Sequence, residues 1–557
     1  MLYPRSNEKR NVYNLNGVWE YRFVEDGYLT AVKATGTKPM AVPASFNEIV
    51  TDINDKEYSG KVLYEREFSI PIYSNDIYRL RIGATSHKCE VFLNGEKIGE
   101  GINGFYPIDL PLDNLKPNNR LTVIIDNRLT EHTFPNGRII DGKQFIKHDF
   151  YNFTGIHRDV LVYTLPQNHI EDVIIKTVVD DDYSKVSVDV KGECEDIVYK
   201  VIDEDGNCVV NTTEKVFNIP NYKLWEVRNA YLYTLIVETK SDIYSEKFGI
   251  RKVEIKDNDF LLNDKPVYFK GFGLHEDFYV LGKGNNTAVS LRNFECLKWI
   301  NANSFRTSHY PYSEEMLDLA DRYGFLVIDE APAVGMVVWG KCFGEGAADE
   351  KTLSLHKELM KQLYERDKNH PSVVMVSVSN EPQSTEVESE NYFKEVFEYT
   401  RKFWDRPVTF VDTWHADTSY AAKFSDVLCV NRYLGWYSDH GEISVVNEQL
   451  SKDLTDFYNK YRKPVILTEF GADTVEGIHL LPAETFSEDF QMLYVAENCK
   501  TLDELDFCIG EHVWAFADFK TKQGVNRIRG NRKGVFTKDR QPKMIAYYLK
   551  DRWNKKV

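Results

Sequence analysis

The sequence is sparing with the residues that build redox or metal chemistry, and with positive charge. Its eight cysteines are scattered over 557 residues and form no C-x-x-C pair. That spacing argues against a zinc site and against a disulfide framework. No run of 18 apolar residues occurs, and the first 17 residues carry no apolar signal core. A membrane partner is therefore not expected, and a cytoplasmic location is. Lys and Arg total 69 against 86 Asp and Glu, a formal net charge of −17. A surface of that sign repels nucleic acid and anionic lipid. Neither a phosphate-cradling G-x-x-x-x-G-K-[ST] loop nor a G-x-S-x-G serine elbow is present.

What is present is a chain too long for one core, ordered in three segments. Residues 1–165 read as short strands, with candidates at 62–70, 77–82, 90–93 and 121–126. Asn94-Gly95 marks a hairpin between 91–93 and 97–98. The expectation is a jelly-roll-type β-sandwich, which could bind carbohydrate by itself. Residues 166–255 continue with candidate strands at 173–179, 185–190, 197–202 and 232–239. They suit an immunoglobulin-like sandwich, and with no cluster of ionisable groups a spacer role is expected.

From Phe269 the rhythm becomes strand, helix, strand. Eight apolar stretches, at 267–271, 303–306, 326–328, 373–378, 408–411, 427–430, 465–467 and 511–516, read as strands. Helical patterns separate most of them, as at 287–300, 313–323, 353–369 and 484–498, with Asn286 and Ser313 as N-caps. Over 256–557 this predicts a (β/α)8 TIM barrel, so the fold class is two β-sandwiches followed by a barrel.

The barrel strands end in polar and aromatic residues, and that is where such barrels place their chemistry. The stretch DKNHPSVVMVSVSNEP (367–382) delivers Asn380 and Glu381 at the end of a nearly unbroken apolar run. RKPVILTEFG (462–471) repeats the design with Glu469. Two carboxylates on two barrel strands are the minimum equipment for cleaving a glycosidic bond. The other ends carry His275-Glu276-Asp277, His309-Tyr310, Asp329-Glu330, Asp412, Trp414-His415, Asn431-Arg432-Tyr433 and Trp514. His275-Glu276-Asp277 matches no zinc spacing, and the hydrolysis needs no metal, so neither metal nor cofactor is expected. One window departs from the acidic balance: 520–540 holds eight Lys and Arg against Asp539 alone, an excess of +7. By default such a run is a solvated loop or a subunit contact.

Several of these stretches together resemble the glycoside hydrolases of family 2, and within them the β-glucuronidases. The resemblance is carried by SHYPYSEEMLDLADRYGFLVIDEAPAVG (308–335), DKNHPSVVMVSVSNEP (367–382), VNRYLGWY (430–437) and TEFGAD (468–473). VWAFADF (513–519) and GNRKGVFTKDRQPK (530–543) add to it, and NGVWEYRF (16–23) and HDFYNFTGIHRDVLVYTLP (148–166) extend it through the first sandwich. It implies a retaining exo-acting β-glucuronidase with Glu381 as acid/base and Glu469 as nucleophile. Asn380 would then bond the sugar 2-hydroxyl, and Tyr433 and Tyr437 would border nucleophile and sugar. Asn531 and Lys533 would grip the C6 carboxylate, with Arg527 nearby, leaving most other basic residues of the window at the surface. Asp149 and Trp514 would contact sugar hydroxyls, and His275 and His309 would line the pocket. Homo-oligomers, often tetramers, are usual among such relatives.

The sequence also departs from its relatives. Segment 336–354 is short where others carry a long loop, which predicts an open aglycone side. Val376 stands where tryptophan is frequent, and Ala515 where asparagine is common. β-Galacturonidase and β-galactosidase activity on the same scaffold are the alternatives, with a non-catalytic carbohydrate-binding protein behind them. Retention of both glutamates speaks against the last.

Overall fold

The computed structural model describes residues 2–28, 30–102, 104–336, 341–344 and 348–556. The first sandwich sets a four-stranded sheet (Val12–Asn14, Val160–Pro166, Asp76–Ile82, Ile108–Pro111) against a six-stranded one. The six run in the order Lys38–Val42, Gly17–Val24, Lys61–Phe68, Asn119–Asp126, Lys88–Leu93 and Glu96–Gly101. Alternation drives the layering: in Gly17–Val24, Trp19 and Tyr21 are buried while Glu20 between them is exposed. Asn94 and Gly95 take φ of 53° and 94°, the backbone of a two-residue hairpin turn, and join the last two strands. The second sandwich packs three strands (Ile170–Val179, Tyr183–Gly192, Val216–Pro220) on four. Its core includes Val173, Val186, Val201 and Leu235.

The barrel is closed and parallel. Its strands are β1 Phe269–Gly273, β2 Ser304–Arg306, β3 Leu326–Glu330, β4 Val373–Asn380, β5 Val408–Asp412, β6 Leu428–Asn431, β7 Val465–Glu469 and β8 Cys508–Val513. All eight residues of β4 are buried, as its continuous apolar run requires. The base is plugged by a small sheet (Val253–Lys256, Asp259–Leu262, Lys265–Pro266), whose Phe260 and Leu262 pack with Phe269, Ile328, Val374 and Ile466. The plug leaves the carboxyl ends of the strands as the mouth.

The helices α1 Thr287–Trp299 and α2 Glu314–Tyr323 begin at Asn286 and Ser313, whose side chains accept from backbone N–H groups. α3 Glu350–Asp367 starts earlier than the apolar period suggests because Asp349 caps it. α4 Glu388–Thr400 and α5 Val446–Tyr461 follow. α6 Glu488–Asp503 starts later than the pattern, capped by Ser487, and α7 Met544–Lys555 closes the ring. β8 ends at Val513, three residues before the predicted limit, because the chain leaves the ladder there. Phe519 and Ala517 bridge instead to Asn531 and Phe536, walling the mouth.

The first sandwich leans on that mouth: Tyr151 N donates to Lys520 O at 2.9 Å, and Arg158 Nη2 to Pro311 O at 2.6 Å. Among the described residues no helix is long and apolar enough to cross a membrane.

Candidate active site

Glu381 follows directly on β4 and adopts φ of 47°, the left-handed region that non-glycine residues enter at a cost of about 1–3 kcal/mol. Its backbone N–H is held by Val411 O at 2.8 Å. Its carboxylate accepts from Asn431 Nδ2 at 2.8 Å, at the end of β6. Glu469, the last residue of β7, accepts from Tyr433 Oη at 2.7 Å and pairs with the buried Arg306 guanidinium at the end of β2. Arg306 Nη1 also donates to both oxygens of Glu330, at 2.7 and 2.9 Å, at the end of β3. Asn380 Oδ1 accepts from Arg306 Nη1 and Asn431 Nδ2, each at 3.3 Å. Five strand ends thus converge in one hydrogen-bonded network.

The network sets the protonation states. Burial raises Glu381, and the nearby charge of Glu469 raises it further, to about 7. Burial raises Glu469 as well, but Arg306 and the Tyr433 hydrogen bond oppose the rise. One carboxyl that holds its proton near neutrality thus faces another whose ionised form is supported, the division of labour that acid-assisted glycoside cleavage needs.

Aromatic rings form one wall. His309 stacks on Trp514 with centroids 5.1 Å apart, and His275 meets Trp514 edge-on at 5.3 Å. Burial and the Arg306 and Lys283 cations keep His309 neutral, well below its ordinary range. Its Nδ1 lies 3.0 Å from Glu330 Oε1. His275 is likewise neutral, chiefly through burial.

The opposite wall is basic. Lys533 is fully buried, pairs with Asp473, and donates to Tyr437 Oη at 2.8 Å. Its ammonium lies 4.7, 5.4 and 5.6 Å from the rings of Tyr437, Trp436 and Tyr433. Since Tyr433 also bonds Glu469, a single tyrosine separates this cation from the carboxylate. Arg527 Nη2 reaches Tyr437 Oη at 2.6 Å and Asp149 Oδ2 at 2.5 Å, and Asn531 Nδ2 donates to the same Asp149 oxygen at 3.1 Å. Asp149 comes from the first sandwich, so two domains complete the pocket. The expectation that the rest of the window 520–540 is mostly surface is corrected: Arg532, Lys538 and Arg540 are buried. They are matched by Asp518, Asp277 and backbone carbonyls, so the cluster of charge is structural. Segment 336–354 lies partly outside the described residues.

Comparison with known proteins agrees in all three segments. The profile described as "Glycosyl hydrolases family 2, TIM barrel domain" matches residues 253–557. The same family's sugar-binding domain matches 14–166, and a further family 2 domain 158–251. This chain belongs to glycoside hydrolase family 2. Its family 2 relatives include a beta-glucuronidase of Paenibacillus borealis, 40% identical over 99% of this chain and 98% of that protein. A beta-glucuronidase structure from an uncultured Clostridium superposes with a TM-score of 0.97 at 43% identity, covering all of both chains. A Ruminococcus gnavus b-glucuronidase solved in complex with uronic isofagomine gives 0.95 at 38% identity, over 99% of each chain.

Within this family 2 site, four side chains have no role that the sequence alone assigns: Arg306, Asn431, Glu330 and Asp473. Arg306 closes the short, otherwise ordinary SFR of β2, and its position as the last residue of a buried strand was the available signal. Asn431 and Glu330 stand at strand ends, but only the folded network shows that they hold Glu381 and Arg306. Asp473, inside TEFGAD, gives no sign in sequence of being the counter-ion of Lys533.

Proposed function

We propose that this family 2 hydrolase is a retaining, exo-acting β-glucuronidase that releases glucuronate from β-D-glucuronides. The observation that carries this reading is the buried Lys533 ammonium 5.6 Å from the ring of Tyr433, whose hydroxyl bonds Glu469. A buried cation with polar neighbours Asn531 and Arg527 suits a sugar acid, whose carboxylate forms charge-assisted hydrogen bonds there. The names of the relatives and the uronic inhibitor bound by one of them support the same substrate class.

In this reading Glu469 attacks the anomeric carbon while Glu381 protonates the leaving oxygen. Esterification removes the charge of Glu469, so the pKa of Glu381 falls and it acts as base toward water. Asn380 bonds the 2-hydroxyl, a contact that strengthens in the transition state and so stabilises it. Arg306 and Tyr433 hold the nucleophile ionised and oriented. Asp149, Trp514, His275 and His309 contact the sugar from the sides, and Tyr437 positions the Lys533 ammonium. A cytoplasmic homo-oligomer, a tetramer as the resemblance suggests, completes the proposal and is checked by light scattering.

The test is nitrophenol release from β-glucuronide, β-galacturonide, β-galactoside and β-glucoside. The glucuronide is expected to have the highest kcat/KM, and a faster neutral galactoside overturns the proposal. Glu469→Gln should abolish turnover of all four. A 2-fluoro-glucuronide should label Glu469 in the parent, and mass-spectrometric labelling of another carboxylate contradicts the assignment.

A further inference from the structure

A groove of about 270 Å³ lies far from the mouth, between the edge strand Ile170–Val179 of the second sandwich and the barrel. In a protein of net charge −17, five cations line it: Lys176, Arg251, Lys252, Lys368 and Arg406. Lys368 pairs with Asp172 and Lys252 with Asp264 and Glu254, and Arg251 donates to Pro371 O and Val373 O, which leaves Arg406 with Asp405 as its nearest acid. Asp405 is largely in solvent, with its carboxylate 3.8 Å from Arg406 Nε, beyond hydrogen-bond reach.

The side chain of Arg406 is only 9% exposed, yet two of its nitrogens, Nε and Nη1, have no acceptor. Only Nη2 is used, donating to Lys368 O at 2.7 Å. Trp404, whose ring lies 4.9 Å from the Arg406 guanidinium, is also buried, and its Nε1–H has no acceptor. Buried N–H donors without partners are costly, and more so for a charged group. Arg251, half-buried and donating to Pro371 O at 2.5 Å and Val373 O at 3.0 Å, adds a second guanidinium, which burial and the Arg406 charge together depress to about 9. Tyr364, edge-on to Trp404 at 5.3 Å, supplies a further apolar ring.

We propose that this groove is a second binding site, for a carboxylated sugar, with Arg406 and Trp404 Nε1–H receiving the carboxylate and the aromatic rings receiving the sugar face. Aromatic faces beside charged donors are the chemistry a sugar acid requires. Naming glucuronate as the sugar rests on the proposed activity, whereas the anion site rests on the groove alone. Its occupant would bridge the second sandwich to Lys368 and Pro371, just ahead of the strand that carries Glu381.

The test is calorimetric titration of the full chain with glucuronate, glucose and inorganic phosphate, with crystals soaked in each to locate the ligand. Glucuronate should fill two sites in the parent, and glucose should leave the groove empty. Arg406→Gln and Trp404→Phe should weaken the groove site about 10- to 100-fold while leaving kcat/KM unchanged. Lys533→Met should spare the groove site and impair the other. Unfolding temperatures confirm that each variant is folded, and Trp404→Phe preserves the packing if Arg406→Gln does not. Phosphate binding as well as glucuronate overturns the sugar assignment. Titration of both groove variants like the parent overturns the site. Neither result bears on the substrate panel, which alone decides the activity.

Discussion

In the proposed mechanism, Glu381 is where protonation and catalysis meet. It must carry its proton in the free enzyme to assist the leaving group, so activity is full below its pKa and is lost as pH rises through about 7. The acid limb belongs to Glu469, which must be ionised. The pH profile of kcat/KM for a phenyl glucuronide should therefore fall on the alkaline side with a midpoint near 7. In Glu381→Ala that limb should vanish, with a loss of about 10²–10⁴-fold for poor leaving groups and much less for nitrophenyl. A profile still flat at pH 9 in the parent contradicts the assignment. On the proposed activity, Lys533 sets which sugar is accepted. Lys533→Met removes the charge but keeps most of the chain length, and Asp473 still accepts from Arg532 N at 2.7 Å and faces Arg527. The glucuronide should lose about 2–5 kcal/mol, roughly 30-fold to several-thousand-fold in kcat/KM, and a glucoside little. An unchanged ratio between the two sugars removes the main support for uronate recognition.

At the scale of elements, the strand ends were the legible part. An apolar run closed by Asn-Glu or Thr-Glu reads as a buried strand delivering a carboxylate, and β4 and β7 do so. Asn286 and Ser313 could be read as caps because local hydrogen bonding fixes them. Arg306 could not, because what distinguishes it is the company of Glu330, Asn380 and Glu469, three strands that only closure of the barrel brings together. The window 520–540 reads as surface for the same reason, since its buried charges are matched by Asp277, Asp473 and Asp518 from outside it. The glycine of TEFG has a reason that sequence does not show. A Cβ at Gly471 would stand 2.0 Å from Trp514 O, just past the ends of β7 and β8, where Trp514 N still donates to Phe470 O at 2.9 Å. Gly471→Ala should force the two chains apart and displace Glu469. A misplacement near 1 Å costs on the order of 100-fold in kcat. Kinetics and unfolding temperature both at parental values would show that the approach is not tight.

For the whole molecule, net charge and local charge oppose each other. A surface of −17 repels an anionic substrate over roughly 10 Å at 0.1 M salt, while the pocket attracts it at contact. Raising ionic strength from about 10 mM to 150 mM should therefore increase kcat/KM for a glucuronide and leave a glucoside unaffected. A fall for the glucuronide would mean that the basic wall governs the approach as well as the binding.

The pairing of Arg527 with Asp149 gives this selectivity its form. Before any substrate arrives, the pocket's arginine is already matched by a carboxylate lent from another domain. On the proposed activity, a sugar acid meets an arginine that is already neutralised, so its carboxylate is read by the buried Lys533 rather than by Arg527. The first sandwich thus lends the pocket a carboxylate that quiets one cation and, in the proposed mechanism, meets a sugar hydroxyl, tying selectivity to the docking of two domains.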